Sequence, residues 1–451
     1  MQVDCDRLDL KNKKAGIYGV GGATGRSVIN FLSKLGNQLL LYDDQNWQKL
    51  EPKTGIKVNN KDDLLNADYI VTSPGVSLQQ NFFARAKKRK LLVISEIELA
   101  YNFFERFLIA ITGTNGKTTT TSLVGEILSK GLKDSHVKIA GNIGTPLLKT
   151  MINSDKDDII VAEVSSFQLA GIKNFAPDIA VNLNFSPDHL DWHKNLDNYR
   201  ESKQKIFINQ TKSQLAVING DDSDIIQMAE KTSAKIKRVT SKDRPADIII
   251  ADDIFIEDEK VIREDSLEAR GTHNLKNIAF AVYIGKKLGV STEIIENVVR
   301  NFTPPPHRMQ TIKKYRGLRF IDDSKATNPH AACAALDSLE KNSKIVIVAG
   351  GQDRKLDLSD FSRKIRQRAL GAVLLGETAQ SLKTNLVQHD FYNAKIVKNM
   401  EQAVRSGIEM LDGEGTLILT PGAPSWDMYE SYKERGEFFR EAVEMALEDI
   451  N

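Results

Sequence analysis

The residues of this chain best suited to chemistry are Gly113-Thr114-Asn115-Gly116-Lys117-Thr118-Thr119. They follow an apolar run, Phe107 to Ile111, and precede Leu123, Val124, Ile127 and Leu128 at helical spacing. That order predicts a buried strand, a glycine-bearing turn and the start of a helix. Backbone N–H groups at a helix N-terminus carry partial positive charge and suit phosphate oxygens. Lys117 would reach terminal phosphates, and the Thr118 hydroxyl would face Mg²⁺. Ile111 stands where longer phosphate loops carry a further glycine, so this is a compact form of the motif.

Other chemistry-bearing residues fall at predicted strand ends. The run Asp158 to Ala162 delivers Glu163, an oxygen donor suited to Mg²⁺, to the edge where ligands sit in open α/β sheets. Ile179 to Asn184 opens into Phe185-Ser186-Pro187-Asp188-His189, where a histidine can meet a metal or phosphate. The charged stretch from Tyr199 to Lys205 reads as a helix, and nothing in its pattern alone distinguishes Lys203. Near the N-terminus, Ala15 to Gly19 leads into Gly19-Val20-Gly21-Gly22-Ala23-Thr24-Gly25, and a second strand ends on Asp43-Asp44. This is a βαβ unit with an acid about 20 residues after the glycines, fit for NAD, another nucleotide diphosphate or a uridine ribose.

These strand–turn–helix units repeat along the whole chain, which predicts an α/β protein built on largely parallel sheets. At 451 residues the chain exceeds the roughly 250–300 of a single core, so three domains are expected, with two as the alternative. Pro304-Pro305-Pro306 marks one boundary. The net charge of +2 gives no sign of a nucleic-acid surface, and Cys5 and Cys333 are too few for a disulfide framework. No apolar run is long enough to span a bilayer, and Met1 to Lys14 holds no apolar leader core, so a cytosolic protein is expected.

The ordered motifs make the reading specific. Gly113 to Thr119, Gly141-Asn142-Ile143-Gly144, Glu163 with Ser165-Ser166-Phe167-Gln168-Leu169, and Asp188-His189-Leu190-Asp191 come first. Tyr199-Arg200 with Lys203, His273 to Asn277, Pro306-His307-Arg308 and Asp323 to Asn328 follow. Together they resemble the Mur ligases, ATP-dependent amide-forming enzymes of peptidoglycan precursor synthesis. Ser165 to Leu169, Ser73-Pro74-Gly75 and Glu96-Ile97-Glu98-Leu99 look most like the D-glutamate-adding branch.

The resemblance implies a Rossmann-like domain for the UDP-substrate over residues 1–104, a central ATPase domain with a parallel sheet over 105–304, and a Rossmann-like amino-acid domain over 305–451. The expected reaction joins D-glutamate to UDP-N-acetylmuramoyl-L-alanine through an acyl phosphate made from ATP, in a monomer using two Mg²⁺ ions. Lys117, His189 and Lys203 would serve catalysis, with Lys203 carbamylated. Thr118, Glu163, His189 and Lys203 would serve the metals. For ATP the matching residues are Gly113 to Thr119, Asn274, Asn277, His307, Arg308 and Asp323. For the UDP-substrate they are Thr24, Asp43, Ser73, Gly75 and Asn142, and for D-glutamate Lys325, Thr327, Arg354, Ser425 and Tyr432. Arg354 stands where some members have lysine, with Lys355 adjacent; Tyr432 replaces a usual phenylalanine, and Gln45 an arginine beside the uracil site. Outside this branch, the open alternatives are another Mur or folylpolyglutamate-type ligase, a phosphate-loop ATPase that is not a ligase, or an NAD-dependent oxidoreductase.

Overall fold

The computed structural model describes residues 8–44, 55–241, 246–250, 253–256, 259–262, 272–340 and 342–449, and Gln45 lies outside them. Among the described residues three sheets follow one another along the chain. The first holds β1 (Lys14–Tyr18), β2 (Gln38–Tyr42), β3 (Ile56–Lys57), β4 (Tyr69–Thr72) and β5 (Leu92–Ser95). All its pairings are parallel, in the order β3-β2-β1-β4-β5. The order reverses between β1 and β4, which opens a crevice at their carboxyl ends.

The second sheet holds β6 (Phe107–Thr112), β7 (Val137–Gly141), β8 (Ile159–Glu163), β9 (Ile179–Asn182), β10 (Leu215–Asn219), β11 (Lys235–Thr240), β12 (Ile248–Ile250), β13 (Ile254–Ile256) and β14 (Glu259–Ile262). Its order is β14-β13-β12-β11-β10-β9-β6-β8-β7. It is parallel from β7 to β12, and β13 and β14 add an antiparallel edge absent from the sequence reading. Both strands are short, too brief for a periodicity argument.

The third sheet holds β15 (Gln310–Tyr315), β16 (Leu318–Asp322), β17 (Ile345–Ala349), β18 (Gly371–Leu374), β19 (Ala394–Ile396) and β20 (Gly415–Leu419), in the order β15-β16-β20-β17-β18-β19. Only β15 is antiparallel, paired to β16. Ile345, Ile347 and Ala349 face one core while Val346 and Val348 face the other. Helices cover both faces, which is why β17 reads as an unbroken apolar run.

The chain divides into two compact units, residues 1–268 with 276–302, and residues 269–275 with 303–451. Within the first unit the core is continuous between the first two sheets, running from Ile17 and Val71 through Ile97 and Ala100 to Leu147, Leu148 and Ala162. Glu98, fully buried, accepts hydrogen bonds from Lys173 N, Asn174 N and Phe175 N, each at 2.9 Å. Glu96, on the same helix (Glu96–Phe103), accepts from Leu148 N at 2.6 Å. No helix among the described residues is long and apolar enough to cross a membrane.

Candidate active site

β6 lies inside its sheet between β8 and β9, so its carboxyl end is flanked by what those strands deliver. Residues 113–116 turn there into the helix Lys117–Gly131. Gly116 has φ 82°, and a Cβ at this position would collide with the Asn277 side chain, so glycine is required twice over. The loop is splinted to the chain leaving β9. Thr114 N donates to Asn184 O at 2.9 Å, Asn115 N donates to Asn184 Oδ1 at 2.8 Å, and Asn184 Nδ2 returns a bond to Asn115 O at 3.1 Å. Thr114 Oγ1 accepts from Ser186 N at 3.1 Å and lies 3.0 Å from the Tyr199 hydroxyl. The Lys117 ammonium arches over the loop, donating to Gly113 O at 2.8 Å and Thr114 O at 2.7 Å. Thr118 and Thr119 fill the first turn of the helix.

On the other flank, Glu163 ends β8 with 2% exposure. Its Oε1 accepts from Asn142 Nδ2 at 2.8 Å, whereas Oε2 is buried and makes no hydrogen bond. Asn142, expected to touch the acceptor substrate, is thus also a partner of Glu163. His189 adopts φ 55° as the N-cap of the four-residue helix Leu190–His193, with Nε2 3.6 Å from Asp188 Oδ2. Its ring packs edge-on to Phe167 at 4.7 Å. Phe167 also contacts Trp192 and His193, and His193 Nε2 lies 3.0 Å from Ser166 Oγ. The Ser166-Phe167 motif is therefore the platform under the His189 helix. Burial, with the nearby charges of His189 and Lys203, pushes His193 down to about 3, so it stays neutral.

Lys203 projects from the helix Leu196–Ile208 and is 1% exposed. Its Nζ lies 3.4 Å from Thr112 Oγ1 and 5.1 Å from the Tyr199 ring centre. Burial, reinforced by Lys117 and opposed by Asp188 and Glu163, holds the amine well below the usual lysine range. Lys117, Glu163 and Asp188 are thus each close enough to act on Lys203 at the carboxyl edge of one sheet. Among the described residues no cluster of three or more histidine, cysteine or acidic side chains stands ready for a metal.

The first sheet gathers its candidates in the crevice between β1 and β4. Ser73 Oγ donates to Gly19 O, Asp43 Oδ2 accepts from Gly21 N at 2.8 Å, and Thr24 lies in the first turn of the helix Ala23–Lys34. Gly75 is exposed two residues beyond Ser73. Ser77 Oγ donates to Trp192 O at 2.7 Å, linking this crevice to the His189 helix.

In the second unit Asp323, Lys325, Thr327, Arg354 and Ser425 leave the carboxyl ends of the adjacent strands β16, β17 and β20, while His307 and Arg308 precede β15 and Tyr432 opens the helix Tyr432–Glu448. His307 Nδ1 pairs with Asp322 Oδ2 at 2.7 Å, and Gly436 leaves room for that imidazole, since a Cβ there would collide with it. Asp323 accepts from Met309 N at 3.1 Å and Thr420 Oγ1 at 3.0 Å, yet burial pushes it up to about 7. Arg308 acts electrostatically on Asp323. Lys325 Nζ sits 3.7 Å above the Tyr432 ring, Thr327 lies two residues on, and the Arg354 guanidinium covers Trp426 at 5.0 Å. Ser425 is buried, while Lys355 is exposed at φ 53°. Asn277 belongs to the first unit and His307, Arg308 and Asp323 to the second. Asn274 is on the helix Thr272–Lys287, with its side chain outside the described set.

Arg435 was missed in the sequence. It is 1% exposed, and its guanidinium donates to Ser324 Oγ and O, Ala423 O, Pro424 O and Gly350 O, tying together the loops after all three strands. No sequence signal separates it from other helical arginines, because its partners are mostly backbone carbonyls.

Comparison with known proteins follows the same division. Residues 13–95 match the Mur ligase MurD-like N-terminal domain, 111–285 the Mur ligase middle domain, and 307–423 the Mur ligase glutamate ligase domain. A UDP-N-acetylmuramoylalanine--D-glutamate ligase of Caldanaerobacter subterraneus is 34% identical over 97% of this chain and 99% of its own length. Ligases of the same name from Clostridioides difficile and Caldicellulosiruptor saccharolyticus are 35% and 36% identical with equal coverage. The fold is shared with the MurF ligase of Thermotoga maritima, solved with ADP, at TM-score 0.64 and 17% identity over 98% of this chain and all of that one. The MurC ligase from the same organism gives 0.58 at 18% identity over 97% of this chain and 99% of that one. Matched in every sheet and by relatives along nearly its full length, the chain belongs to the Mur ligase family.

Proposed function

We infer that the protein is an ATP-dependent ligase that adds D-glutamate to UDP-N-acetylmuramoyl-L-alanine. The observation that carries this is the identity of about one residue in three, over 97% of the chain, to ligases named for that reaction. Joining a carboxylate to an amine in water is uphill, so the carboxylate must first be activated. Transfer of the ATP γ-phosphoryl group gives an acyl phosphate, which the D-glutamate amine attacks, expelling phosphate. Such transfer depends on positioning and charge neutralisation.

In this reading the N–H groups of residues 113–119 hold the phosphates, and the Lys117 ammonium turns from its own loop carbonyls toward the transferring group. Asn274, Asn277, His307, Arg308 and Asp323 serve the nucleoside and phosphates. Thr24, Asp43, Ser73 and Gly75 hold the uridine diphosphate, Asn142 the alanyl end, and Lys325, Thr327, Arg354, Ser425 and Tyr432 the amino acid. The buried Oε2 of Glu163, which makes no hydrogen bond, fits a metal, and the Thr118 hydroxyl and His189 would supply further donors. Bound there, Mg²⁺ would neutralise charge between two anionic reactants. An ammonium at Lys203 would repel such an ion. Buried against Thr112 and Tyr199, its amine suits addition to CO₂, with loss of a proton, giving an anionic carbamate. We propose further that the enzyme acts as a cytoplasmic monomer, where ATP and sugar nucleotides are made.

The test is phosphate release and product mass with ATP, Mg²⁺, UDP-N-acetylmuramoyl-L-alanine and a panel of amino acids. Release should require both substrates, and the product should carry glutamate from the D isomer. Steady ATP hydrolysis without an acceptor would instead mark a phosphate-loop ATPase of another kind.

A further inference from the structure

Trp426 is 60% exposed, a large apolar side chain left in water directly after the buried Ser425. The Arg354 guanidinium lies over its indole, with Cζ 5.0 Å from the ring centre. The two residues leave neighbouring strands, β17 and β20. Their loops are cross-braced around the pair. Gln352 N donates to Pro424 O at 2.9 Å. Glu377 accepts from Asp353 N at 2.9 Å and donates its own N–H to Asp427 Oδ2 at 3.0 Å. The residue before Arg354 and the residue after Trp426 are therefore fixed to one common point. Arg435 adds hydrogen bonds to Gly350 O and Pro424 O from the other side. The stack is a built arrangement, not a chance meeting of two long surface side chains.

A guanidinium stacked on an aromatic face can offer its N–H edge to a carboxylate, and its restricted motion means less freedom is lost when one binds. We propose that Trp426 is a positioning residue of the amino-acid site, holding Arg354 so that its fork meets a carboxylate of the incoming substrate. This rests on the assignment of Arg354 to D-glutamate made above. It also explains how arginine can replace lysine there: the stack supplies the orientation that a flexible point charge does not need. Lys355, exposed with φ 53°, is no part of the stack.

The experiment compares wild type with Trp426→Ala, Trp426→Phe, Arg354→Lys and the double variant Trp426→Ala/Arg354→Lys, with thermal unfolding as a control. Trp426→Ala should raise KM for D-glutamate by roughly three- to thirty-fold, with a smaller change in kcat and none in KM for ATP. Trp426→Phe should fall between. In the Arg354→Lys background the alanine substitution should cost much less, because the stack is already lost. Wild type that makes no product with D-glutamate overturns the functional reading. Wild type that does, beside a Trp426→Ala enzyme of unchanged KM, overturns this inference alone. Equal rises in KM for ATP and D-glutamate, or full additivity with Arg354→Lys, also overturn it.

Discussion

The Lys117 ammonium rests within hydrogen-bond reach of Gly113 O and Thr114 O, both in its own loop. On the proposed assignment, its removal strips positive charge from the place where phosphoryl transfer would build negative charge. Lys117→Ala should lower kcat by roughly 10²- to 10³-fold, the scale of losing one preorganised electrostatic partner, with an unchanged unfolding midpoint. Steady-state kinetics beside a thermal scan measure both, and near-normal kcat would remove Lys117 from the mechanism. A second residue titrates within reach of ordinary buffers. Glu96 is fully buried, with Oε2 unbonded, and burial pushes it from 4.5 up to about 7 against a hydrogen bond from Leu148 N. Below about 4.5 both folded and unfolded states hold the proton. Between about 4.5 and 7 the unfolded state ionises first, so folding loses stability as pH rises, and the loss is complete above about 7. Glu96→Gln abolishes that slope. It should gain up to about 3 kcal/mol on wild type at pH 8, with the gain vanishing near pH 4.5. Urea unfolding at both pH values checks this, and parallel pH dependences would dismiss it.

Elements explain what single residues leave open. The phosphate loop was legible in the sequence because strand, glycines and lysine are contiguous, and Glu163 because an acid ends an apolar run. The elements that splint them were not. Asn184 reads as the last residue of a strand and Ser186 as part of the loop after it, neither marked as a splint until β9 proves to be the neighbour of β6, and the helix Leu190–His193 is too short for any periodicity. Lys203 became visible only through family resemblance, since its burial depends on Thr112 and Tyr199 rather than on its helical pattern. Arg435 is the extreme case. The helix Tyr432–Glu448 delivers one guanidinium against acceptors on three separate loops, from 11 to 111 residues away. Removing it leaves several buried acceptors without their donors, so Arg435→Ala should destabilise the unit by about 3 kcal/mol or more. Arg435→Lys should recover only part, because a point charge cannot span the loops after β16, β17 and β20. Both variants should raise KM for D-glutamate more than KM for the UDP-substrate, whose proposed crevice lies in the other unit. Chemical denaturation with paired KM measurements decides it, and wild-type affinity for D-glutamate in Arg435→Ala would show that the knot does not set the site.

At the scale of the molecule, three family domains occupy two compact units. The sequence predicts the three from alternating strands and helices, but not the merger of the first two, because what joins them has no pattern. Glu98 looks like a helical surface acid, yet it is fully buried and accepts three backbone N–H groups from a loop some 75 residues away. With the shared core running from Ile97 and Ala100 to Leu147 and Leu148, it welds the sheet with the β1–β4 crevice to the sheet that carries residues 113–119. On the proposed assignment, a carboxylate held by one sheet must come within bonding distance of the ATP phosphate held by the other, so a rigid joint between these two sheets would serve the reaction directly. The weld predicts shared stability. Residues 14–95 and 107–241 should lose amide protection in one cooperative step, and Glu98→Ala should lower that step by about 3 kcal/mol by leaving those N–H groups without an acceptor. Native-state hydrogen exchange read by fragment reports both regions at once. If residues 14–95 exchanged well ahead of 107–241 in wild type, or Glu98→Ala weakened only one of them, the two sheets would be neighbours that merely touch, and the alignment of acceptor with phosphate would have to come from the bound substrates themselves.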